Sequence, residues 1–184
     1  ASFELITFLE FPAAGVYQMG VNSDDGFKVT TGKNPRDRFA LVLGQFDGGR
    51  GASDTLFTIT IPAKGIYPFR LLWENGNGEL PDNQANCEWF TVLADGTKVL
   101  INDAASTVKA YRSAPLPPFI CRVVPGIGER GVLPASGIEV DITDDTTQVN
   151  GSTIMIGLNG GALGNPTSVS KVGSVTSAIL SPAS

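Results

Sequence analysis

Residues 15–32 read GVYQMGVNSDDGFKVTTG, and the spacing of their apolar members limits what the chain can become. Tyr17, Met19 and Val21 alternate with Gln18 and Gly20, and Phe27 and Val29 alternate with Lys28 and Thr30. A period of two belongs to half-buried β-strands, whose successive side chains point to opposite faces. Between the two runs stands Asn22-Ser23-Asp24-Asp25-Gly26, which predicts a hairpin with Asp-Gly at its tip. Such a turn needs only one Asx residue. Two adjacent carboxylates make it either an over-charged turn or half of a cation site.

The same alternation recurs along the chain. Residues 3–11 (FELITFLEF) predict a first strand, apolar in places on both sides. Residues 39–46, 56–61 and 66–74 predict further strands, the last with Tyr67, Phe69, Leu71 and Trp73 on one face. Residues 32–38 (GKNPRDR) predict a polar loop, residues 62–65 a tight turn, and residues 75–86 (NGNGELPDNQAN) a long polar loop. Residues 87–93 and 98–101 flank Ala94-Asp95-Gly96-Thr97, a second hairpin signal. Residues 103–111 suit a helical turn or an edge strand. No segment of residues 1–112 sustains a 3.6-residue apolar period for three turns. The expectation there is an antiparallel β-sandwich or jelly roll around Tyr17, Phe27, Phe57, Tyr67, Phe69, Trp73 and Trp89.

Residues 113–118 (SAPLPP) hold three prolines and predict a short stiff linker. Beyond it, residues 119–184 keep a single aromatic, Phe119, and offer strands near 119–124, 138–143, 154–158 and 168–178. This is the beginning of an immunoglobulin-like β-sandwich that lacks the ~100 residues a complete one takes. Either the module is truncated or a neighbouring chain supplies the missing strands.

Composition narrows the function classes. The 184 residues include 22 Gly and 12 Pro, which suits many short strands and turns. There is no histidine, so imidazole bases, imidazole metal ligands and Ser-His or Cys-His nucleophile pairs are excluded. A net charge of -5 without clustered Lys and Arg argues against nucleic acid and anionic membranes as partners. No apolar run approaches the ~18 residues of a membrane span. Ala1 opens directly on strand-like sequence, so for an exported protein any leader is expected to have been removed already. Cys87 and Cys121 form no CxxC motif; they are either one disulfide or two small buried hydrophobes.

Residues 17–32 (YQMGVNSDDGFKVTTG), 63–73 (AKGIYPFRLLW) and 88–90 (EWF) together resemble the domain first described in anthrax protective antigen. That family includes sugar-binding domains of yeast flocculins and adhesins and inserts in bacterial glycosidases. In its lectin branch the two adjacent aspartates of the turn bind calcium, and the ion fixes vicinal sugar hydroxyls. The resemblance therefore implies calcium at Asp24 and Asp25, with the 75–86 loop, through Asn75, Asn77, Asp82 and Asn83, as the stretch that completes the ligand site. Hard Ca²⁺ takes 6–8 oxygen ligands, which Asp, Asn and backbone carbonyls supply. Residues 117–182 are similar to bacterial immunoglobulin-like repeats of large surface proteins.

The expected protein is thus a non-enzymatic, extracellular or cell-surface module that binds a glycan or cell-surface polysaccharide, with calcium as its cofactor. A second reading is a structural block of an extracellular layer or filament, completed by strand exchange with a neighbouring subunit. A third is an accessory domain of a glycosidase. For Asp144 and Asp145 the simpler reading, a solvated turn, is preferred, because no acid cluster or Gly-hinged loop accompanies them. The glycines around Arg50 lack the Lys and the following helix of a phosphate-binding loop.

Overall fold

Alternating apolar residues can be buried on one face only if that face meets another layer, and the first part of the chain solves this with two sheets. The computed structural model describes residues 1–76, 85–112, 115–133, 135–158, 160–161 and 163–181. Its strands are β1 (Ser2–Phe11), β2 (Gly15–Asp24), β3 (Phe27–Thr31), β4 (Leu41–Phe46), β5 (Ser53–Ile61), β6 (Gly65–Glu74), β7 (Asn86–Val92), β8 (Lys98–Leu100) and β9 (Lys109–Tyr111). They are followed by β10 (Phe119–Val124), β11 (Ile138–Thr143), β12 (Ser168–Val172) and β13 (Val175–Leu180). The protein is all-β: among the described residues the one helical element is a 3-10 turn at Gly151–Thr153. No described helix is long and apolar enough to cross a membrane.

The chain divides into two compact units, Ala1–Pro35 with Ala40–Ala114, and Arg36–Phe39 with Pro115–Ser184. The first is an antiparallel sandwich of a five-stranded sheet (β4-β3-β6-β1-β9) and a four-stranded sheet (β5-β2-β7-β8). Leu9, Phe11, Phe27, Val29, Phe69 and Leu71 from the first sheet meet Met19, Val21, Phe57, Ile59 and Ile61 from the second. Of the expected aromatic core, Phe27, Phe57, Phe69 and Trp73 are buried, while Tyr17, Tyr67 and Trp89 pack around the rim. Each fully buried apolar side chain contributes about 1.5–3 kcal/mol.

The hairpin expected at Asn22-Ser23-Asp24-Asp25-Gly26 does not form. β2 pairs with β5 and β7, whereas β3 pairs with β4 and β6. The turn is an arch that carries the chain from one sheet to the other, so Met19 and Val21 face Phe27 and Val29 across the core. Alternation reveals which side chains point inward, but a hairpin and an arch require the same alternation. The second signal behaves as expected: β7 and β8 form a hairpin, Leu93 N–H donates to the Thr97 carbonyl at 2.9 Å, and Gly96 takes the positive φ of 87° that the turn needs. Of the two alternatives for residues 103–111, the edge strand is present: β9 pairs with β1.

The second unit is one antiparallel sheet, in the order β10-β11-β13-β12. Ile138, Val140 and Ile142 of β11 share one face with Leu180, Ala178 and Thr176 of β13. Three residues of the 32–38 loop, together with Phe39, belong to this unit and cap the β10 edge. Arg38 N–H donates to the Ile120 carbonyl at 2.6 Å, and Ile120 N–H donates to Asp37 Oδ2 at 2.8 Å. Asp144 and Asp145 have structural partners: Asp144 pairs with Lys171 at 2.7 Å, and Asp145 with Arg36 at 3.3 Å.

Candidate functional site

The arch between β2 and β3 gathers three segments around Asp24 and Asp25. β2 ends with Ser23 opposite Ser53 and Cys87, and Asp24 opposite Asn86. The chain then crosses to the other sheet, where Asp25 N–H donates to the Glu74 carbonyl at 3.1 Å and Glu74 N–H donates to the Gly26 carbonyl at 2.9 Å. The Asp24–Asp25 peptide bond is cis. Both aspartates are buried, with 6% and 7% of their surface exposed.

The two carboxylates have different surroundings. Asp25 Oδ1 accepts the Arg50 backbone N–H at 2.7 Å, and Oδ2 accepts the Gly76 N–H at 2.7 Å. Those donors, Gly76 first and Arg50 second, outweigh burial and hold the Asp25 carboxyl below the usual carboxylate range. Asp25 thus ties the arch to the 47–51 connection and to the segment after β6. Asp24 Oδ1 meets Asn75 Nδ2 at 3.3 Å, and its other carboxylate oxygen accepts no hydrogen bond from a described residue. The Asp24 backbone carbonyl accepts from Trp73 Nε1 at 2.9 Å and lies 3.4 Å from Asn75 Nδ2.

Arg50 braces this arrangement from behind. Its guanidinium donates to the Ser23 carbonyl (3.1 Å), the Ser23 hydroxyl (2.7 Å) and the Thr55 hydroxyl (2.9 Å). The same group stacks over the Phe46 ring at 4.1 Å. None of its N–H groups reaches a carboxylate: its charge is directed at Ser23 and Thr55, and only its backbone serves Asp25. Burial lowers the Arg50 pKa from its usual value.

Of the residues expected at the site, Asp24, Asp25 and Asn75 come together. Asn77, Asp82 and Asn83 lie outside the described residues. Sequence reasoning missed Arg50, Gly76 and Trp73, which hold the aspartates in place. Cys87 and Cys121 are free thiols, and burial, with Glu88 adding to it, pushes the Cys87 thiol up to about 11.

The donor set fits a hard cation. Two adjacent buried carboxylates repel each other unless something positive offsets them. Among the described residues neither is paired with a Lys or Arg side chain, although the Ala1 ammonium also favours the charged form of Asp25. The carboxylate oxygens are of the kind Ca²⁺ prefers, while Asn75 turns its Nδ2 donor toward Asp24. No group of three or more acidic, Cys or His side chains forms among the described residues, so further ligands for an ion would be amide, backbone or water oxygens. Comparisons of this chain with protein-family models, with curated proteins and with solved structures find no match.

Proposed function

We propose that the protein is a non-enzymatic, extracellular carbohydrate-binding or adhesion-type module whose first unit binds calcium at Asp24 and Asp25. The observation that supports this is the buried pair of carboxylates with no cationic side chain on either, one of them with an oxygen that accepts no described hydrogen bond. The resemblance of the 17–32, 63–73 and 88–90 segments to a family with sugar-binding members points the same way. Asp24, Asp25 and Asn75 would hold the ion, and the ion would offer coordination positions to paired glycan hydroxyls. Calorimetric titration of CaCl₂ into the chelator-stripped protein tests this. The expected dissociation constant is about 10⁻⁴–10⁻³ M, the range of extracellular calcium modules. Asp24→Asn should abolish it while leaving the far-UV circular dichroism unchanged. No heat at several millimolar calcium, from a protein that remains folded, refutes the proposal.

A second reading, a building block completed by a neighbour's strand, is favoured by one observation. Among the described residues β12 pairs only with β13, and all five of its residues are exposed. A bare strand edge is a template for β-augmentation. Mass measured across a concentration series decides: assembly that Val169→Pro abolishes supports it, since the Val169 N–H faces the open edge, and a monomer at every concentration removes it.

A further inference from the structure

The outer face of the five-stranded sheet, on the far side from the core, carries a groove of about 620 Å³. Ligand pockets commonly fall between about 300 and 1,000 Å³. Strand register builds its floor: Gln45, Lys28, Leu72 and Glu4 stand side by side on β4, β3, β6 and β1. Two residue pairs further along, Glu74 lies opposite Ser2. The Glu74 carboxylate lies over Gly26, where an added Cβ would come within 2.9 Å of its Oε1, so the absence of a side chain at Gly26 makes room at that end.

The lining is unusual in what it leaves unpaired. Glu4 is tied to Arg70 at 2.6 Å. Lys28, Gln45, Asp47 and Glu74 line the groove, and their side chains make no hydrogen bond or ion pair with any described residue. They supply donors (the Lys28 ammonium and the Gln45 amide) and acceptors (two carboxylates and the Gln45 carbonyl) around the half-buried apolar side chain of Leu72. A sugar has matching chemistry, since each hydroxyl both donates and accepts, while the C–H face of its ring suits an apolar floor. The charge balance selects among sugars. Asp47 and Glu74 outnumber Lys28, and Glu4 is offset by Arg70, which disfavours a carboxylate-bearing ligand.

We propose that this groove binds a short neutral or amino-bearing oligosaccharide, with Lys28, Gln45, Asp47 and Glu74 as its polar contacts and Leu72 as its floor. The inference rests on the glycan-binding reading but not on the cation. Neither Asp24 nor Asp25 lines the groove, although Gly26, Trp73 and Glu74, which do, border the arch.

The test is calorimetric titration in EDTA of a panel of neutral tetrasaccharides (chito-, cello-, manno- and galacto-), of deacetylated chitotetraose and of tetragalacturonate. The expected result is binding of at least one neutral or amino-bearing probe and none of tetragalacturonate. Lys28→Ala and Glu74→Gln should each weaken that binding about tenfold, the effect of losing one hydrogen bond to a charged group. Lys64→Ala, at an exposed position between β5 and β6 and outside the groove, should leave it unchanged. Binding by no neutral or amino-bearing probe overturns the proposal, as does binding that ignores both groove substitutions or is lost in Lys64→Ala. Because calcium is chelated throughout, failure here is separate from failure of the calcium titration.

Discussion

The two units satisfy the same alternating pattern with different amounts of closure. In the first, two sheets face each other, and Phe11, Leu9, Met19, Val21 and Val29 are withdrawn completely from water. In the second, one sheet stands with Leu116, Thr176 and Ala178 as its fully buried residues among those described, and β11 is half-buried along its whole length. What the second unit lacks in apolar burial is replaced in part by polar ties between strands. Arg122 bridges Glu139 at 3.1 Å and Asp141 at 2.9 Å, and Ser177 donates to Asp141. Exposed ion pairs contribute little, typically 0–1 kcal/mol each, whereas apolar burial scales with area. The difference teaches that a β-strand pattern measures how much a chain can bury, and that a second sheet decides how much it does bury.

The largest expected effect breaks the first unit alone. Phe69 is 1% exposed and touches the rings of Phe11 and Trp89. Phe69→Ala should cost about 3–5 kcal/mol. Ile142→Ala, at a half-buried position of the second unit, should cost roughly 1–2 kcal/mol, because much of that side chain stays in water in either state. The readouts separate cleanly. Both tryptophans, Trp73 and Trp89, lie in the first unit, so their fluorescence follows it alone, while far-UV circular dichroism follows both. Urea unfolding with both probes should show Phe69→Ala moving the fluorescence transition and Ile142→Ala moving only the dichroic one. Coincident shifts for both variants would mean that the units do not unfold separately.

Next in size is the effect of calcium. An ion that binds only the folded arch stabilises it by about 2.7 kcal/mol at a hundredfold excess over its dissociation constant. Saturating calcium should therefore raise the tryptophan transition and leave the second unit's transition in place. A rise confined to the second unit would move the cation site away from Asp24 and Asp25.

How far the sequence reveals this architecture depends on the kind of signal each residue carries. Period-two runs disclose strands and inward faces, so β2, β5 and β6 are legible, as are Phe27, Phe57 and Phe69 in the core. Partner choice is not legible. The Asn22-to-Gly26 turn suits a hairpin and an arch equally, and only the distant strands β5, β7, β4 and β6 distinguish them. Leu9 and Phe11 are hidden for another reason: residues 3–11 are apolar on both faces, so alternation cannot single them out. Around the arch, Asp24, Asp25 and Asn75 stand out in the sequence because their side chains carry polar oxygens. Gly76 and Arg50 serve Asp25 through backbone N–H groups, which any residue but proline possesses. Nothing about their side chains announces that role.

The smallest expected effect concerns acid, and it sharpens the contrast between the units. Asp141 and Asp144 in the second unit, like Asp25 in the first, have carboxyls held below the usual range. The Ser177 hydroxyl and then Arg122 act on Asp141, and Lys171 and then the Val149 N–H act on Asp144. A carboxyl whose folded pKa is depressed binds protons more readily in the unfolded chain. Its contribution to stability is complete above the unfolded value, about 3.9, and is lost as pH falls through the lower folded value. Both units should therefore weaken below about pH 4. They should differ in their response to salt. The ties of Asp141 and Asp144 include ion pairs with Arg122 and Lys171, which 1 M NaCl screens to a range of about 3 Å. Those of Asp25 are chiefly backbone N–H donors, which salt does not screen in the same way, with the Ala1 ammonium the smallest contributor. High salt should thus flatten the acid dependence of the dichroic transition more than that of the fluorescence transition, and Asp144→Asn should reproduce part of that flattening at low salt. Equal flattening of both transitions would show that ion pairs matter as much to the closed sandwich as to the open sheet.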